Sequence, residues 1–184
     1  MLEKALPEGG HELIDREALL ARIAALALEI DQAYQGTDFV VVGVLKGAHH
    51  FLSDLLLRMT LDPRVEFVRV ATYGDGTDPT AATEVTEVGE LDLGGRDVLV
   101  IEDILDRGGT AKALTRALAN HSPKSLRWAF LLVKEGAIVR SGLTPDFVGF
   151  TIPDEWVVGY GLDIGERFRN LEGIYTVARE DREV

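Results

Sequence analysis

One stretch decides the fold, and it reads VLVIEDILDRGGT at residues 98–110. Its first four residues are apolar, as in a strand that is buried on both faces of a parallel sheet. Three acids follow, Glu102, Asp103 and Asp106, and then two glycines and a threonine open a predicted helix. Glycines let backbone N–H groups approach a ligand, and a helix N-terminus adds unpaired N–H groups and a positive dipole end. The stretch therefore predicts a phosphate-binding loop at the end of a buried strand.

The acids of this stretch admit two interpretations. An acidic turn can simply cap a helix, but such a turn does not usually follow a fully buried strand, so we favour a ligand loop. Because adjacent residues of an extended chain point to opposite faces, Glu102 and Asp103 need not act on one ligand atom. Either carboxylate suits sugar hydroxyls or a hydrated Mg²⁺, which prefers oxygen ligands. Neither common nucleotide signature is present, since there is no G-x-x-x-x-G-K-[ST] and residues 159–165 miss G-x-G-x-x-G by one position.

Strands and helices alternate around this stretch, which predicts an α/β fold with a mostly parallel sheet. Hydrophobic patterning predicts strands at 39–45, 65–71, 98–101, 126–133, 147–152 and 156–159, and helices at 15–34, 49–59 and 111–120. Between residues 73 and 95 the chain is rich in Gly, Thr, Asp and Glu and has little apolar periodicity. This composition predicts a long loop, either a lid over a binding site or a surface hairpin.

The amino-acid composition excludes several classes of protein. The 184 residues predict one domain, and an apolar content of 46% is sufficient for a core. A net charge of −12 argues against a nucleic-acid binder, because an acidic surface repels phosphate backbones. The absence of cysteine excludes a disulfide scaffold, a zinc–thiolate site and a cysteine nucleophile. With no apolar run of membrane-spanning length and no apolar signal core at the start, we expect a cytoplasmic protein.

Residues 102–110 resemble the phosphoribosyl pyrophosphate signature of the type I phosphoribosyltransferases, and the chain looks closest to their hypoxanthine-guanine branch. Further segments agree in order, among them LLVK at 131–134 and PDFVGF at 145–150. The most specific match is IPDEWVVGYGLD at 152–163, which continues to ERFRNL at 166–171. In the family this last motif forms the base pocket of the 6-oxopurine enzymes. The resemblance covers nearly the whole chain from about residue 10.

The resemblance implies one phosphoribosyltransferase domain with a Rossmann-like sheet flanked by helices at about 36–150. Segments at about 1–14 and 151–184 would form a small hood, and a mobile lid at about 73–95 would close over the site and exclude water. The implied reaction transfers the phosphoribosyl group to hypoxanthine and/or guanine, giving IMP or GMP and pyrophosphate, with Mg²⁺ as cofactor. A xanthine-preferring enzyme and a non-catalytic nucleotide-binding regulatory protein on the same fold are the alternatives.

The resemblance also implies roles for single residues. Asp106 would be the catalytic acid, assisting proton transfer at the purine N7. The residues that would bind phosphoribosyl pyrophosphate are Lys46, Gly47, Glu102, Asp103, Asp106, Arg107, Gly108, Gly109, Thr110 and Arg169. The residues that would bind the purine are Lys134 at the 6-oxo oxygen, Trp156 on the ring face, Val157 through its backbone, and Asp163. Glu102, Asp103 and Asp163 would surround the metal, and Thr72 and Tyr73 would reach the pyrophosphate from the lid.

Two further expectations follow from the resemblance. The loop at Lys46-Gly47 would contain a non-proline cis peptide, and the chain would form a homodimer or homotetramer. Its other partners would be small-molecule substrates, with no nucleic acid and no membrane. The sequence departs from the family where Arg107 replaces the usual Thr or Ser, which removes a hydroxyl donor to the phosphate. The lid segment is also more acidic than usual and has no lysine, so affinity is affected more than reaction class.

Overall fold

The computed structural model describes residues 6, 9–73, 82–88 and 90–177, with the backbone alone at 71–73, 82–84, 87 and 88. Its strands are β1 (Glu12–Ile14), β2 (Phe39–Leu45), β3 (Arg64–Tyr73), β4 (Ala82–Val88), β5 (Asp97–Leu105), β6 (Ser125–Lys134), β7 (Phe147–Ile152), β8 (Val157–Val158) and β9 (Ile174–Thr176). Its helices are α1 (Arg16–Ala33), α2 (His49–Leu56), α3 (Gly109–Ala119) and α4 (Ala137–Ser141). Among these residues no helix is both long and apolar enough to cross a membrane.

The central sheet has six strands in the order β4-β3-β2-β5-β6-β7. Every neighbouring pair is parallel except β3 and β4, so the predicted α/β fold with a mostly parallel sheet is confirmed. The chain leaves β2 toward β3 on one side and later returns through β5 to the other side of β2. In doubly wound sheets of this kind, the crevice beyond the carboxyl ends of such strands is where ligands bind.

Both faces of this sheet are covered, which explains the uninterrupted apolar run in β5. Leu99 and Ile101 belong to the core formed with α1 and α2, whereas Val98 and Val100 belong to the core formed with α3. Side chains of a strand alternate between its two faces, so a strand buried on both sides must be apolar at every position. The same condition holds for β2, which is buried from Phe39 to Val44.

A second sheet joins the two ends of the described chain. Its order is β1-β9-β8, and both pairs are antiparallel. Thr176 strengthens the junction, since its hydroxyl accepts from the His11 backbone N–H at 3.2 Å and its own N–H donates to the His11 carbonyl at 2.9 Å. Its strands lie within the segments at about 1–14 and 151–184 for which a hood was predicted, and the hood itself stays a prediction.

The structure differs from the sequence prediction most clearly in the segment 73–95. We predicted a long loop there, but β4 occupies Ala82–Val88 and pairs with β3 from Phe67↔Val88 to Tyr73↔Ala82. β4 is an edge strand and hydrogen-bonds only to β3, so it needs no continuous apolar run. Its polar residues therefore do not show the hydrophobic pattern by which the other strands were predicted. Residues 74–81 and 89 of the predicted lid lie outside the described residues, and residues 90–95 form neither a helix nor a strand.

Smaller differences concern element ends. The helix expected to reach Met59 ends at Leu56, and α4 was not predicted, because five residues are too few to show helical periodicity. More importantly, the strand expected to end at Ile101 continues to Leu105, so Glu102 and Asp103 lie inside β5. Pairing with β6 carries the strand onward, through Glu102↔Phe130 and Leu105↔Val133.

A buried carboxylate ties α1 to the segment after α2 and gives a test of the fold alone. Asp31, only 9% exposed, accepts from Thr60 through its N–H and hydroxyl, both at 2.7 Å, and from the Leu61 N–H at 3.2 Å. Asp31→Ala would leave these donors without their acceptor, so we expect the free energy of unfolding to fall by about 1–3 kcal/mol. Urea denaturation measures the free energy of unfolding of this variant and of a control variant, Glu17→Ala, at an exposed position. An equal loss in both variants would contradict a specific role for Asp31.

Candidate active site

Three chain segments converge at the carboxyl ends of β2 and β5. The peptide bond Leu45–Lys46 is cis, as the resemblance implied for this loop. At Gly47 a Cβ atom would lie 1.4 Å from Oδ2 of Asp103, and at Gly161 it would lie 2.1 Å from the Gly47 carbonyl oxygen. Any side chain at these two positions would overlap its neighbour. The glycines therefore let the loop after β2, the end of β5 and the segment after β8 pack in direct contact.

The predicted phosphate loop begins α3. Gly108 is the N-cap of α3 in the left-handed region, with φ +76°, and no side chain caps the helix there. A Cβ on Gly108 would also meet Cβ of Ser141 at 2.3 Å, so glycine is required on two grounds. Gly109 faces open space, and the side chain of Arg107 is exposed. The first turn of α3 thus presents backbone N–H groups suited to an anion.

Asp106 lies at the centre of a network of alternating charges. Its Oδ2 accepts from Nζ of Lys134 at 2.8 Å, and its Oδ1 is 3.4 Å from Nη2 of Arg140. Both cations also reach Asp154, Lys134 at 3.6 Å and Arg140 at 3.4 Å. The Lys134 side chain is only 7% exposed, so its ammonium is held in place beside the carboxylate. Asp106, directly after β5, and Lys134, the last residue of β6, are thus in contact at the carboxyl end of the sheet, whereas their predicted roles stay predictions.

The aromatic residue predicted to stack on the base lies beside this network. Trp156 is 40% exposed, and Nζ of Lys134 is 5.8 Å from the centroid of its ring. Its carbonyl accepts from the Val177 N–H at 3.0 Å, which fixes the backbone ahead of β8. Val157 begins β8 and its side chain is buried, so contact with a ligand could come only from its backbone. The indole thus borders the space next to Lys134.

Glu102 and Asp103 are adjacent acids near the end of β5, of which Glu102 is buried and Asp103 is partly exposed. Burial raises the pKa of Glu102 well above its usual range, and the charge of Asp103 adds to the effect. Burial likewise raises the pKa of Asp103 to about 6, although the Ile104 N–H donates to its Oδ1 at 2.7 Å. Oε2 of Glu102 is buried with no hydrogen-bond partner. These are carboxylates that a nearby cation would stabilise in the charged form.

The predicted metal ligands do not form a complete protein cage. Among the described residues, 6, 9–73, 82–88 and 90–177, no three His, Asp or Glu side chains come together to hold a metal ion. Mg²⁺, however, usually takes only one or two protein carboxylates and completes its shell with water and substrate phosphates. Glu102, with its unpartnered oxygen, and the adjacent Asp103 suit such a partial site. Asp163 is instead engaged by Arg169, with Oδ1 2.7 Å from Nη2.

The two cations predicted to bind pyrophosphate meet at one carboxylate. Oε2 of Glu166 accepts from Nζ of Lys46 at 2.8 Å and from Nη2 of Arg169 at 3.3 Å. The Lys46 hydrogen bond, followed by that of Arg169, lowers the pKa of Glu166. Arg169 is further anchored, because its Nη1 donates to the Gly161 carbonyl at 2.7 Å. The loop after β2 and the segment 161–169 are thereby joined by charge as well as by packing.

Sequence reasoning missed three residues of the site and predicted two that the structure does not test. Arg140, Asp154 and Glu166 were assigned no role, although Asp154 and Glu166 lie inside the matched motifs and could have been noticed there. No sequence pattern marked Arg140 as a site residue, since only the fold of α4 brings it to Asp106. The side chains of Thr72 and Tyr73 lie outside the described part of the structure.

Comparison with known proteins agrees with this geometry. Residues 10–164 match the family model of the phosphoribosyl transferase domain. A hypoxanthine-guanine phosphoribosyltransferase of Mycobacterium tuberculosis is 39% identical over 171 residues, which cover 90% of this chain and 84% of the relative. A hypoxanthine phosphoribosyltransferase of Escherichia coli K12 is 38% identical over 162 residues, with 86% and 90% covered.

Solved structures give the same relationship. The crystal structure of a hypoxanthine phosphoribosyltransferase from Staphylococcus aureus superposes with a TM-score of 0.84 at 36% identity, covering 92% of each chain. A hypoxanthine-guanine phosphoribosyltransferase from Bacillus anthracis superposes with a TM-score of 0.83 at 36% identity, covering 91% of this chain and 98% of that one. With the match to the family model and these identities, the chain belongs to the phosphoribosyltransferase family, in its hypoxanthine-guanine branch.

Proposed function

We propose that this chain is a purine salvage enzyme that transfers the phosphoribosyl group of phosphoribosyl pyrophosphate to hypoxanthine and/or guanine. The products are IMP or GMP and pyrophosphate, and the reaction depends on Mg²⁺. The observation that carries the proposal is the 2.8 Å contact between Lys134 and Asp106, with the partly exposed ring of Trp156 next to it. The carboxyl ends of β5 and β6 thus bring together a donor for an oxo group, a carboxylate for a ring nitrogen and an aromatic platform.

The base is recognised by these three side chains. Trp156 stacks on the purine face, and Lys134 donates a charged hydrogen bond to the 6-oxo oxygen. Asp106 accepts the proton at N7 as the bond between the ribose carbon and the purine nitrogen forms. Its carboxylate also stabilises the positive charge that develops on the ribose in an oxocarbenium-like transition state. Lys134 has to share its contact with Asp106 when the purine is bound.

The phosphoribosyl donor is held by backbone and cations. The N–H groups at the start of α3 take the 5′-phosphate, since this helix end has a glycine cap and no capping side chain. Lys46 and Arg169 take the pyrophosphate, and Gly47 lets the loop that carries Lys46 pack directly against Asp103. Glu102 and Asp103 hold the ribose hydroxyls and a hydrated Mg²⁺, which when bound neutralises the leaving pyrophosphate. The lid, with Thr72 and Tyr73, excludes water from the reacting carbon.

One assay tests this proposal against its alternatives. The purified protein is offered hypoxanthine, guanine, xanthine and adenine separately, each with phosphoribosyl pyrophosphate and Mg²⁺, and nucleotide formation is followed by chromatography. We expect IMP or GMP, no AMP, and no product when EDTA removes Mg²⁺. Turnover of xanthine alone would identify a xanthine-preferring enzyme. Binding of nucleotide without turnover of any oxopurine would identify a regulatory protein on this fold.

Two broader expectations belong to the same proposal. A homodimer or homotetramer is proposed from the family relationship, and light scattering coupled to size-exclusion chromatography would measure it. One solved relative, a hypoxanthine phosphoribosyltransferase of Trypanosoma cruzi, was examined for the role of its C-terminal region in oligomeric state and activity. A cytoplasmic location likewise stays a prediction.

A further inference from the structure

Glu166 occupies the position between two cations that the proposed function gives to pyrophosphate. Its Oε2 accepts from Lys46 at 2.8 Å and from Arg169 at 3.3 Å, so one oxygen bridges a loop after β2 and a segment after β8. A phosphate oxygen bound by the same two side chains would need the same donors. Carboxylate and ligand therefore compete for them.

The chain holds this carboxylate at the site. The Glu166 N–H donates to Oδ2 of Asp163 at 2.8 Å, and the backbone there turns with Glu166 in the left-handed region at φ +64°. Glutamate in that region is uncommon, whereas glycine adopts it freely. The turn 163–167 thus presents the side chain toward Lys46 and Arg169 in a defined place.

The contact is nevertheless weak enough to be displaced. The Glu166 side chain is 65% exposed and that of Lys46 is 50% exposed, so water screens their attraction. Exposed pairs of this kind are weak, whereas a pyrophosphate brings several charges and a bound cation to the same donors. A weak internal anion in a strong anion site lowers the net affinity of the ligand without blocking it.

We infer that Glu166 is an affinity-setting residue that competes with pyrophosphate for Lys46 and Arg169. In the free protein it keeps the two cations paired, and during turnover it takes them back as pyrophosphate leaves. It thereby weakens the binding of both the donor and the pyrophosphate product. This inference rests on the proposed function, because it requires that these cations bind pyrophosphate.

The experiment is a direct binding measurement on the full-length protein. Isothermal titration calorimetry gives the Kd of pyrophosphate with excess Mg²⁺ for the wild type, Glu166→Gln and Glu166→Gly. Glu166→Gly removes the side chain and suits the positive φ, so it keeps the test valid if Glu166→Gln folds poorly. Glu17→Gln, an exposed position in the first turn of α1, is the control for the same change in net charge.

We expect pyrophosphate to bind about threefold more tightly to both Glu166 variants, a factor within the energy of an exposed ion pair. The gain should shrink as salt is raised, and the control should bind as the wild type does. Weaker binding in the variants would overturn the inference, because it would mean that Glu166 positions the two cations for the ligand. Unchanged binding, or an equal gain in Glu17→Gln, would overturn it as well. If the wild type binds neither pyrophosphate nor phosphoribosyl pyrophosphate, the proposed function itself fails.

Discussion

Asp106→Asn should keep its fold and lose most of its turnover. Asparagine has nearly the same shape, but its side chain cannot take up the proton from the purine and carries no charge for Lys134, now 2.8 Å from the carboxylate. General acid–base groups contribute about 10²–10⁴-fold to rate, so we expect kcat for IMP formation to fall by that factor. Steady-state kinetics measures kcat, and calorimetry should show that phosphoribosyl pyrophosphate still binds.

A neighbouring acid provides the matched control for this result. Asp154 lies 3.6 Å from the same lysine, and Asp154→Asn removes one charge from the network without removing the proton acceptor. We expect a much smaller loss of kcat in this variant. Wild-type turnover in Asp106→Asn would exclude Asp106 from the acid–base role. Equal losses of kcat in both variants would assign the effect to the charge network as a whole.

Lys134→Gln should impair binding of the base more than binding of the donor. The lysine is almost fully buried beside Asp106 and Trp156, so a hydrogen bond from its ammonium to the 6-oxo oxygen is shielded from water. Hydrogen bonds to charged groups contribute about 1.5–3 kcal/mol, which corresponds to an increase in KM for hypoxanthine of about 10–100-fold. The Kd of phosphoribosyl pyrophosphate, measured by calorimetry, should change little.

The control for this variant is Arg140→Gln, because Arg140 also contacts Asp106, at 3.4 Å, but lies on α4 and is not expected to reach the base. A loss of the Asp106 contact alone would therefore change kcat in both variants and leave KM for hypoxanthine unchanged in Arg140→Gln. Equal losses of base and donor affinity in Lys134→Gln would contradict its assignment to the 6-oxo oxygen.

The central strands and long helices were predictable because the local spacing of apolar residues indicates which of their faces are buried. β2 and β7 have the predicted limits, and α1 begins after Asp15, whose Oδ1 accepts from the Ala18 N–H at 2.8 Å. β4 was not predictable, since an edge strand is stabilised by its one neighbour rather than by burial on both faces. The end of β5 was misplaced for a related reason, because pairing with β6 carries two acids into the sheet.

Within the site, the residues named from the sequence are those that a motif marks directly. Asp106 follows β5 and Lys134 ends the neighbouring strand β6, and the structure brings the two side chains into contact. The partners that restrain them were not predicted, since Arg140 meets Asp106 across 34 positions and Glu166 meets Lys46 across 120. Contacts of such separation leave no periodic signal in a single sequence.

By itself, the sequence determined the fold class and the family and marked the loop at 102–110 as a candidate site, because burial on two faces and glycine at a helix start are local requirements. Only the tertiary structure decided that Glu102 is a buried carboxylate with an unpartnered oxygen, and that Glu166 lies between the two cations of the proposed pyrophosphate site. Burial and charge pairing depend on neighbours that the chain brings together from distant positions. The affinity and the protonation states of the site are therefore properties of the folded molecule.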